Sequence, residues 1–219
     1  MQYVVESMRI SDIAAVGAIE RLSFPQPWPQ SAYRREILEN RMAYYVVARA
    51  VDEHAPPPAR TGDIPPPPLP DSGEGGVLGR LQRLFRSQDE LAAPPSRDRG
   101  IIGYAGLWLM SDEAHVTTIA VHPDQRGKRV GELLLVHLID RSLTIGARWV
   151  TLEVRVTNRV AQALYRKYTF KEMGVRRRYY SDNGEDALIM WTDALDSERF
   201  KEVLESNRAN LWQRLAGTG

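Results

Sequence analysis

Val116-Thr-Thr-Ile-Ala-Val-His-Pro-Asp-Gln-Arg-Gly-Lys-Arg-Val-Gly-Glu-Leu-Leu-Leu135 passes from an apolar strand through a Gly-bearing turn into an amphipathic helix, with no spacer between them. This succession aims several backbone N–H groups and the positive end of a helix dipole at one spot. Such a spot is an anion site, and function follows from it if the anion is a pyrophosphate. Taken alone, the same turn reads equally as an ordinary connection between a strand and a helix.

The alternation continues outward in both directions. Upstream, Tyr3–Met8 reads as a strand, and Ser11 as the cap of a helix running to about Leu22. Phe24-Pro-Gln-Pro-Trp-Pro29 is a rigid turn before a second helix to about Glu39, and Met42–Ala50 is a strand. Ile101–Met110 and Ala114–Val121 form an antiparallel pair across Ser111-Asp112. Downstream, Glu132–Leu143 is helix. Trp149–Val156 is a strand with Leu152, Val154 and Val156 on one face and Thr151, Glu153 and Arg155 on the other. Asn158 caps a helix to about Lys167. Phe170–Tyr180 and Asp186–Trp191 make a hairpin across Asn183-Gly184, a type I′ signal. Ser197–Leu215 is an amphipathic helix. The order implies a mostly antiparallel α+β layer with a β-α-β-α unit in its second half.

Composition narrows the class. The chain has 219 residues and is 43% hydrophobic, which suits a globular core. It has no Cys, hence no disulfide, thiolate nucleophile or thiolate metal site. Its 4 His show no ligand spacing, and no metal is expected. No apolar run is long enough to span a membrane and no signal-peptide pattern opens the chain, so a cytoplasmic location is the expectation. The net charge of +1 conceals an asymmetry, since residues 126–178 hold 13 Lys and Arg against 4 Asp and Glu. That local field suits a phosphate-bearing ligand, or is merely a solvated basic face. DNA binding is not expected.

Ten of the 14 prolines fall between Asp52 and Arg99. With Gly-Ser-Asp filler, residues 52–99 read as a disordered insertion between two strands of one domain spanning 1–192, followed by a C-terminal helix over 193–219. Within the insertion, Val77, Leu78, Leu81, Leu84 and Phe85 share a helical face and Arg80, Arg83 and Arg86 lie off it. The segment 77–86 is therefore a candidate docking helix, or a short helix resting on its own domain.

The run His122 to Leu135, then Leu152-Glu-Val-Arg-Val-Thr-Asn158, Ala163-Leu-Tyr-Arg-Lys-Tyr-Thr-Phe170, Arg177-Arg-Tyr-Tyr180 and Glu185-Asp-Ala-Leu-Ile-Met190 resemble the GNAT superfamily of acyl-CoA-dependent N-acetyltransferases. Within it they are similar to the RimI-type branch, whose members acetylate the N-terminal alanine of a small-subunit ribosomal protein. The resemblance covers about residues 1–50 and 100–192. It implies a mixed, mostly antiparallel twisted sheet with flanking helices and splayed central strands, and acetyl-CoA as co-substrate. The acceptor it implies is a protein N-terminus. Two other readings stay open. One is the same fold acting on a small amine or a protein lysine; the other is a catalytically silent CoA-binding docking module.

The resemblance also assigns roles residue by residue. Arg126-Gly-Lys-Arg-Val-Gly131, with Glu132, becomes the pyrophosphate turn. Arg129 stands where the family carries Gly, tolerable at negative φ and costly at positive φ. Ile119, Ala120 and Val121 become the strand end beside which the pantetheine arm runs, with a backbone N–H at the thioester carbonyl. Asn158 becomes a cofactor contact as well as a helix cap. Glu153 becomes the general base: a peptide α-amine has a pKa of about 7.7–8.0 and must lose a proton before it attacks. Tyr165 becomes the general acid for the leaving thiolate. Phe24, Trp28, Tyr179 and Tyr180 line the acceptor side. Outside the resemblance, Glu153 reads as a solvated strand residue, Tyr165 as amphipathic packing and the four aromatics as core and surface. Thr169 replaces a common Gly after the Tyr165 helix, so that helix is expected to close differently.

Overall fold

The computed structural model describes residues 2–51 and 100–217, which belong to one compact unit. The Pro-rich segment and the candidate helix at 77–86 lie outside the described residues. The described strands are β1 (Gln2–Ser7), β2 (Ala43–Val51), β3 (Ile101–Met110), β4 (Glu113–Val121), β5 (Trp149–Arg155), β6 (Lys171–Tyr180) and β7 (Glu185–Trp191). The helices are α1 (Ile13–Ser23), α2 (Gln30–Glu39), α3 (Val130–Thr144), α4 (Arg159–Lys167) and α5 (Glu198–Ala216). The strands form one sheet in the order β1-β2-β3-β4-β5-β7-β6. Every pairing is antiparallel except β4 with β5. α3 is the crossover that this parallel pair requires.

Strand alternation divides the apolar residues between two faces. Val46, Ala48, Ala105, Leu107, Leu152 and Val154 pack with Leu134, Leu138 and Ile139 of α3. Tyr45, Val47 and Tyr104 face the other way and pack with Val16 and Ile19 of α1 and Tyr33 of α2. Phe200, Leu204 and Leu211 of α5 join the α3 side, so the C-terminal helix is part of the domain core. Asn207 Nδ2 donates to the Lys167 carbonyl at 2.8 Å, tying α5 to the end of α4.

Three local expectations are corrected. Ser11 does not cap α1. A 3-10 turn at Ile10–Asp12 precedes the helix, and the Asp12 carboxylate accepts from the Arg9 N–H at 2.9 Å and pairs with Arg49. The β6–β7 hairpin is not a two-residue type I′ turn. Only Gly184, at φ 70°, is left-handed there, whereas type I′ needs two such residues; the loop is Ser181–Gly184, closed by Tyr180 opposite Glu185. Thr169 does not change how α4 ends. It adopts φ 66° itself, and Phe170 N–H and Thr169 N–H bond back to the carbonyls of Tyr165 and Arg166 at 3.2 and 3.1 Å. That is the Schellman pattern with a β-branched residue in the Gly position.

Candidate active site

β4 and β5 pair only from Glu113–Trp149 to Val116–Leu152. Both strands run on beyond that point, to Val121 and Arg155, so the sheet forks at its centre. A bulge marks the fork: Gly106 pairs with Thr118 and Leu107 with Val116, which leaves Thr117 as the extra residue of β4. A cleft of about 460 Å³ opens there. Thr117–Ile119 and Glu153–Arg155 form its inner wall, and Phe24–Gln26, Trp28 and Tyr179–Asp182 its outer one.

Glu153 projects from β5 into the cleft with its side chain only 7% exposed. Its Oε2 lies 3.1 Å from His115 Nε2 and its Oε1 lies 3.2 Å from Arg176 Nη2. The His115 contact, then its charge and that of Arg176, hold the carboxyl below the usual range despite the opposing effect of burial. Glu153 is thus an ionised carboxylate at neutral pH, with lone pairs left for a third partner.

Tyr165 lies across the fork, on α4. Burial, and secondarily Tyr180, push its phenol above the ordinary value, so it keeps its proton through the neutral range. Its ring packs on Phe170 with centroids 5.6 Å apart, the apolar contact that accompanies a Schellman cap. Asn158 caps α4 by accepting from the Ala161 N–H at 3.1 Å, and also lines the cleft.

The turn Arg126–Gly131, expected to hold pyrophosphate, continues from the end of β4, outside the cleft's lining. Gly127 and Arg129 are both left-handed, at φ 77° and 64°. Arg129 therefore occupies the conformation that favours Gly. Its guanidinium is turned onto Glu132 at 3.2 Å, and Glu132 also accepts from Tyr168 at 2.8 Å and from Lys167. Glu132 is buried in that network rather than presented to a ligand. The first intrahelical bond of α3 runs from Leu133 N–H to the Arg129 carbonyl, so the N–H groups of Val130, Gly131 and Glu132 precede the ladder. Arg126 Nε donates to the Val121 carbonyl at 3.3 Å, and Lys128 Nζ reaches Gln125 at 3.0 Å. Ala120 is buried among residues of the α1 side.

Phe24, Trp28, Tyr179 and Tyr180 all line the cleft. A bulge between Arg176 and Tyr180, with Arg178 at φ 51°, separates the last two from the regular part of β6. Arg155 sits 3.8 Å over the Tyr180 ring, and burial pushes that phenol up to about 12. The two outer segments meet: Ser181 Oγ donates to Gln26 Oε1 at 2.8 Å.

Three participants escape sequence inspection. Glu20 of α1 is 3% exposed and accepts from Tyr33 at 3.0 Å, from Tyr104 and from the Trp28 N–H at 3.1 Å, so it anchors the Phe24–Trp28 segment. The Gln26–Ser181 contact spans 155 residues of chain and leaves no local signal. His115 shows no ligand spacing in the sequence. Its one available signal is parity, since the β4–β5 register places it opposite Thr151 on the face that carries Glu153.

Comparison with known proteins decides the family. A Bacillus subtilis (strain 168) protein, provisionally named a ribosomal protein bS18-alanine N-acetyltransferase, is 33% identical over 187 residues, which is 85% of this chain and 93% of the relative. The chain belongs to the GNAT family of acetyltransferases. The Acetyltransferase (GNAT) family profile matches residues 70–170. Among solved structures, the ribosomal-protein-S18-alanine N-acetyltransferase from Escherichia coli superposes with a TM-score of 0.60 at 24% identity, covering 90% of this chain and 97% of that one. A spermidine N-acetyltransferase SpeG chimera from Vibrio cholerae and hSSAT reaches 0.59 at 16% identity, covering 88% and 95%. The GNAT fold alone thus does not discriminate a peptide acceptor from a polyamine. The chain is an acyltransferase that uses acetyl-CoA, the family's acetyl donor. Among the described residues, no helix is long and apolar enough to cross a membrane.

Proposed function

We propose that this enzyme acetylates the α-amine of a protein N-terminus, the N-terminal alanine of a small-subunit ribosomal protein, in the cytoplasm. Transfer is direct, within a ternary complex with acetyl-CoA. The observation that carries the acceptor class is the Gln26–Ser181 hydrogen bond. It joins the two outer segments that line the cleft, and in this reading the acceptor enters the space beside Glu153 end-on. A chain terminus with a small first residue suits that approach. The naming of the relatives supports the same acceptor.

In this reading the turn Arg126–Gly131 and the start of α3 hold the pyrophosphate with backbone N–H groups. The fork between β4 and β5 takes the pantetheine arm beside Ile119–Val121, where an N–H of β4 polarises the thioester carbonyl. Glu153 removes a proton from the acceptor ammonium, directly or through a water, and the freed amine attacks. Tyr165 hydrogen-bonds the departing thiolate and protonates it. With no Cys in the chain, no acyl-cysteine intermediate is available. We propose further that residues 1–192 carry the acetyltransferase machinery, interrupted by the insertion at 52–99 and completed in its core by α5, and that the segment 77–86 docks a partner.

The test is acetyl-CoA with two peptides, one with a free N-terminal alanine and one with a blocked N-terminus and an internal lysine, read by mass spectrometry. Acetyl on the alanine amine alone is expected; acetyl on the lysine of the blocked peptide overturns the acceptor class. For the base, Glu153→Gln is expected to lower turnover at neutral pH by about 10²–10⁴, with partial recovery at higher pH.

A further inference from the structure

His115 sits in a chain of polar contacts that ends on Glu153. Thr151 Oγ1 donates to Glu113 Oε1 at 2.5 Å, and His115 Nδ1 lies 2.9 Å from the same Thr151 oxygen. A hydroxyl has one proton to give. Because Thr151 spends it on Glu113, its oxygen accepts from His115, and Nδ1 carries a hydrogen. The other ring nitrogen stands 3.1 Å from Glu153 Oε2. A carboxylate oxygen and a bare nitrogen lone pair repel, so a proton lies in that contact as well.

The groups facing the ring come from three strands. Glu113 of β4 approaches Nδ1 to 3.8 Å, and Thr151 and Glu153 come from β5. From β6, Arg176 reaches Glu153 on its far oxygen rather than on His115's side. The His115 side chain is 19% exposed, and the residue lines the cleft.

We propose that His115 is the positioning residue for the general base: its Nε2–H grips one oxygen of Glu153, as Arg176 grips the other, and aims the carboxylate at the acceptor amine. The inference rests on Glu153 being the base. In a base that must meet an amine entering the cleft, a carboxylate free to rotate loses much of its effect. The bond lost with His115 is charge-assisted, worth roughly ten- to a hundred-fold in rate.

The test uses His115→Asn, His115→Gln and Glu153→Gln, singly and combined, in the full chain. Asn keeps a donor near Nδ1 for Thr151 and offers nothing to Glu153. Gln reaches the position of Nε2 with a neutral donor. His115→Asn is expected to lower kcat about ten- to a hundred-fold with KM for acetyl-CoA unchanged, and to move the acid limb of the kcat profile to higher pH. That direction follows because the strongest influence lowering Glu153 is gone while burial persists. His115→Gln is expected to recover much of the kcat that Asn loses. In the Glu153→Gln background, His115→Asn is expected to cost less than about two-fold, because its effect passes through the carboxylate. Equal rates for Asn and Gln, an unmoved acid limb, or full additivity with Glu153→Gln overturns the inference. Wild-type turnover in Glu153→Gln alone instead overturns the base assignment, which separates the two failures.

Discussion

Gly106→Ala should damage both the fold and the fork. Gly106 lies in β3, opposite Tyr45 on β2 and Thr118 on β4, beside the Thr117 bulge. A Cβ there would sit 2.3 and 2.4 Å from two Tyr45 ring carbons and 3.1 Å from Thr117 Oγ1. Carbon atoms settle at about 3.5–4.0 Å, so the ring must retreat by more than about 1 Å. Tyr45 has nowhere to go. It is 5% exposed, its ring stands edge-on to Tyr33 at 5.7 Å, and its hydroxyl reaches Glu36 at 3.4 Å. Overpacking a closed site of this kind costs about 2–3 kcal/mol, the upper part of the usual range. For a domain of this size that lowers Tm by about 4–12 °C. Calorimetry reads the loss, and steady-state kinetics the movement of the cleft wall. The double variant Gly106→Ala/Tyr45→Val should melt above the sum of its parts, since the smaller side chain vacates the contested space. A Gly106→Ala protein that melts within about 2 °C of wild type refutes the close packing of ring and backbone from which this is argued.

Tyr165→Phe should lower turnover about 10²–10⁴-fold while acetyl-CoA affinity stays similar, because only the proton donor is lost; unchanged turnover in a stopped-flow thiol-release assay removes the acid role. Arg129→Gly relieves a left-handed non-Gly residue, an effect of about 1–2 kcal/mol, against one ion pair of about 1 kcal/mol to a Glu132 that keeps Lys167 and Tyr168, and the added freedom of the unfolded chain. Stability within about 1 kcal/mol of wild type is therefore expected by urea titration. The turn's donors are backbone groups, so acetyl-CoA affinity by calorimetry should change less than about three-fold, and a loss beyond about ten-fold would place the guanidinium on the phosphates. Glu185, bonded to Thr157 N–H and hydroxyl and to Arg155, is lowered to about 2. Its contribution to stability is complete above the unfolded carboxyl range of about 4.3 and is lost as pH falls through about 2. Carboxyl NMR that finds it titrating above 4 contradicts those bonds.

Periodicity carried most of the fold, and the misses share one cause. Leu152 and Val154 alternate with Glu153 along a single strand, so their faces are local facts readable from spacing. Thr169 and the Asn183-Gly184 pair are misjudged because local preference is set against tertiary constraint. Phe170 must pack on Tyr165, and that contact holds Thr169 in the left-handed region with its Oγ1 accepting from Asp193 N–H at 3.2 Å. The hairpin opens to four residues because Arg155 reaches Asp182, Asn183 and Glu185 at 2.8, 3.2 and 3.0 Å, contacts a two-residue turn could not present. Glu153 and Tyr165, which both line the cleft, stand out in the sequence because the motif around each is contiguous. His115, Glu20 and the Gln26–Ser181 bridge join residues whose proximity exists only after the sheet has formed.

In the proposed reading, acceptor choice follows from how the cleft mouth is anchored more than from the sheet. Each outer segment is fastened by a carboxylate engaged in hydrogen bonds of its own. Glu20 holds the Trp28 N–H from beneath, itself fixed by Tyr33 and Tyr104, and Glu185 holds Thr157 and Arg155 at the root of the β6–β7 hairpin. Arg155 in turn stacks on Tyr180. Two mobile loops would have to be ordered at every turnover, at a cost of about 0.5–1.5 kcal/mol for each side chain immobilised, and that cost would be charged to acceptor binding. Anchored loops remove it in advance, so a terminus that offers only one or two residues of contact can still be held in reacting geometry. In that reading a short, sparsely contacting acceptor and an anchored mouth belong together, and the carboxylates serve specificity by holding the loops.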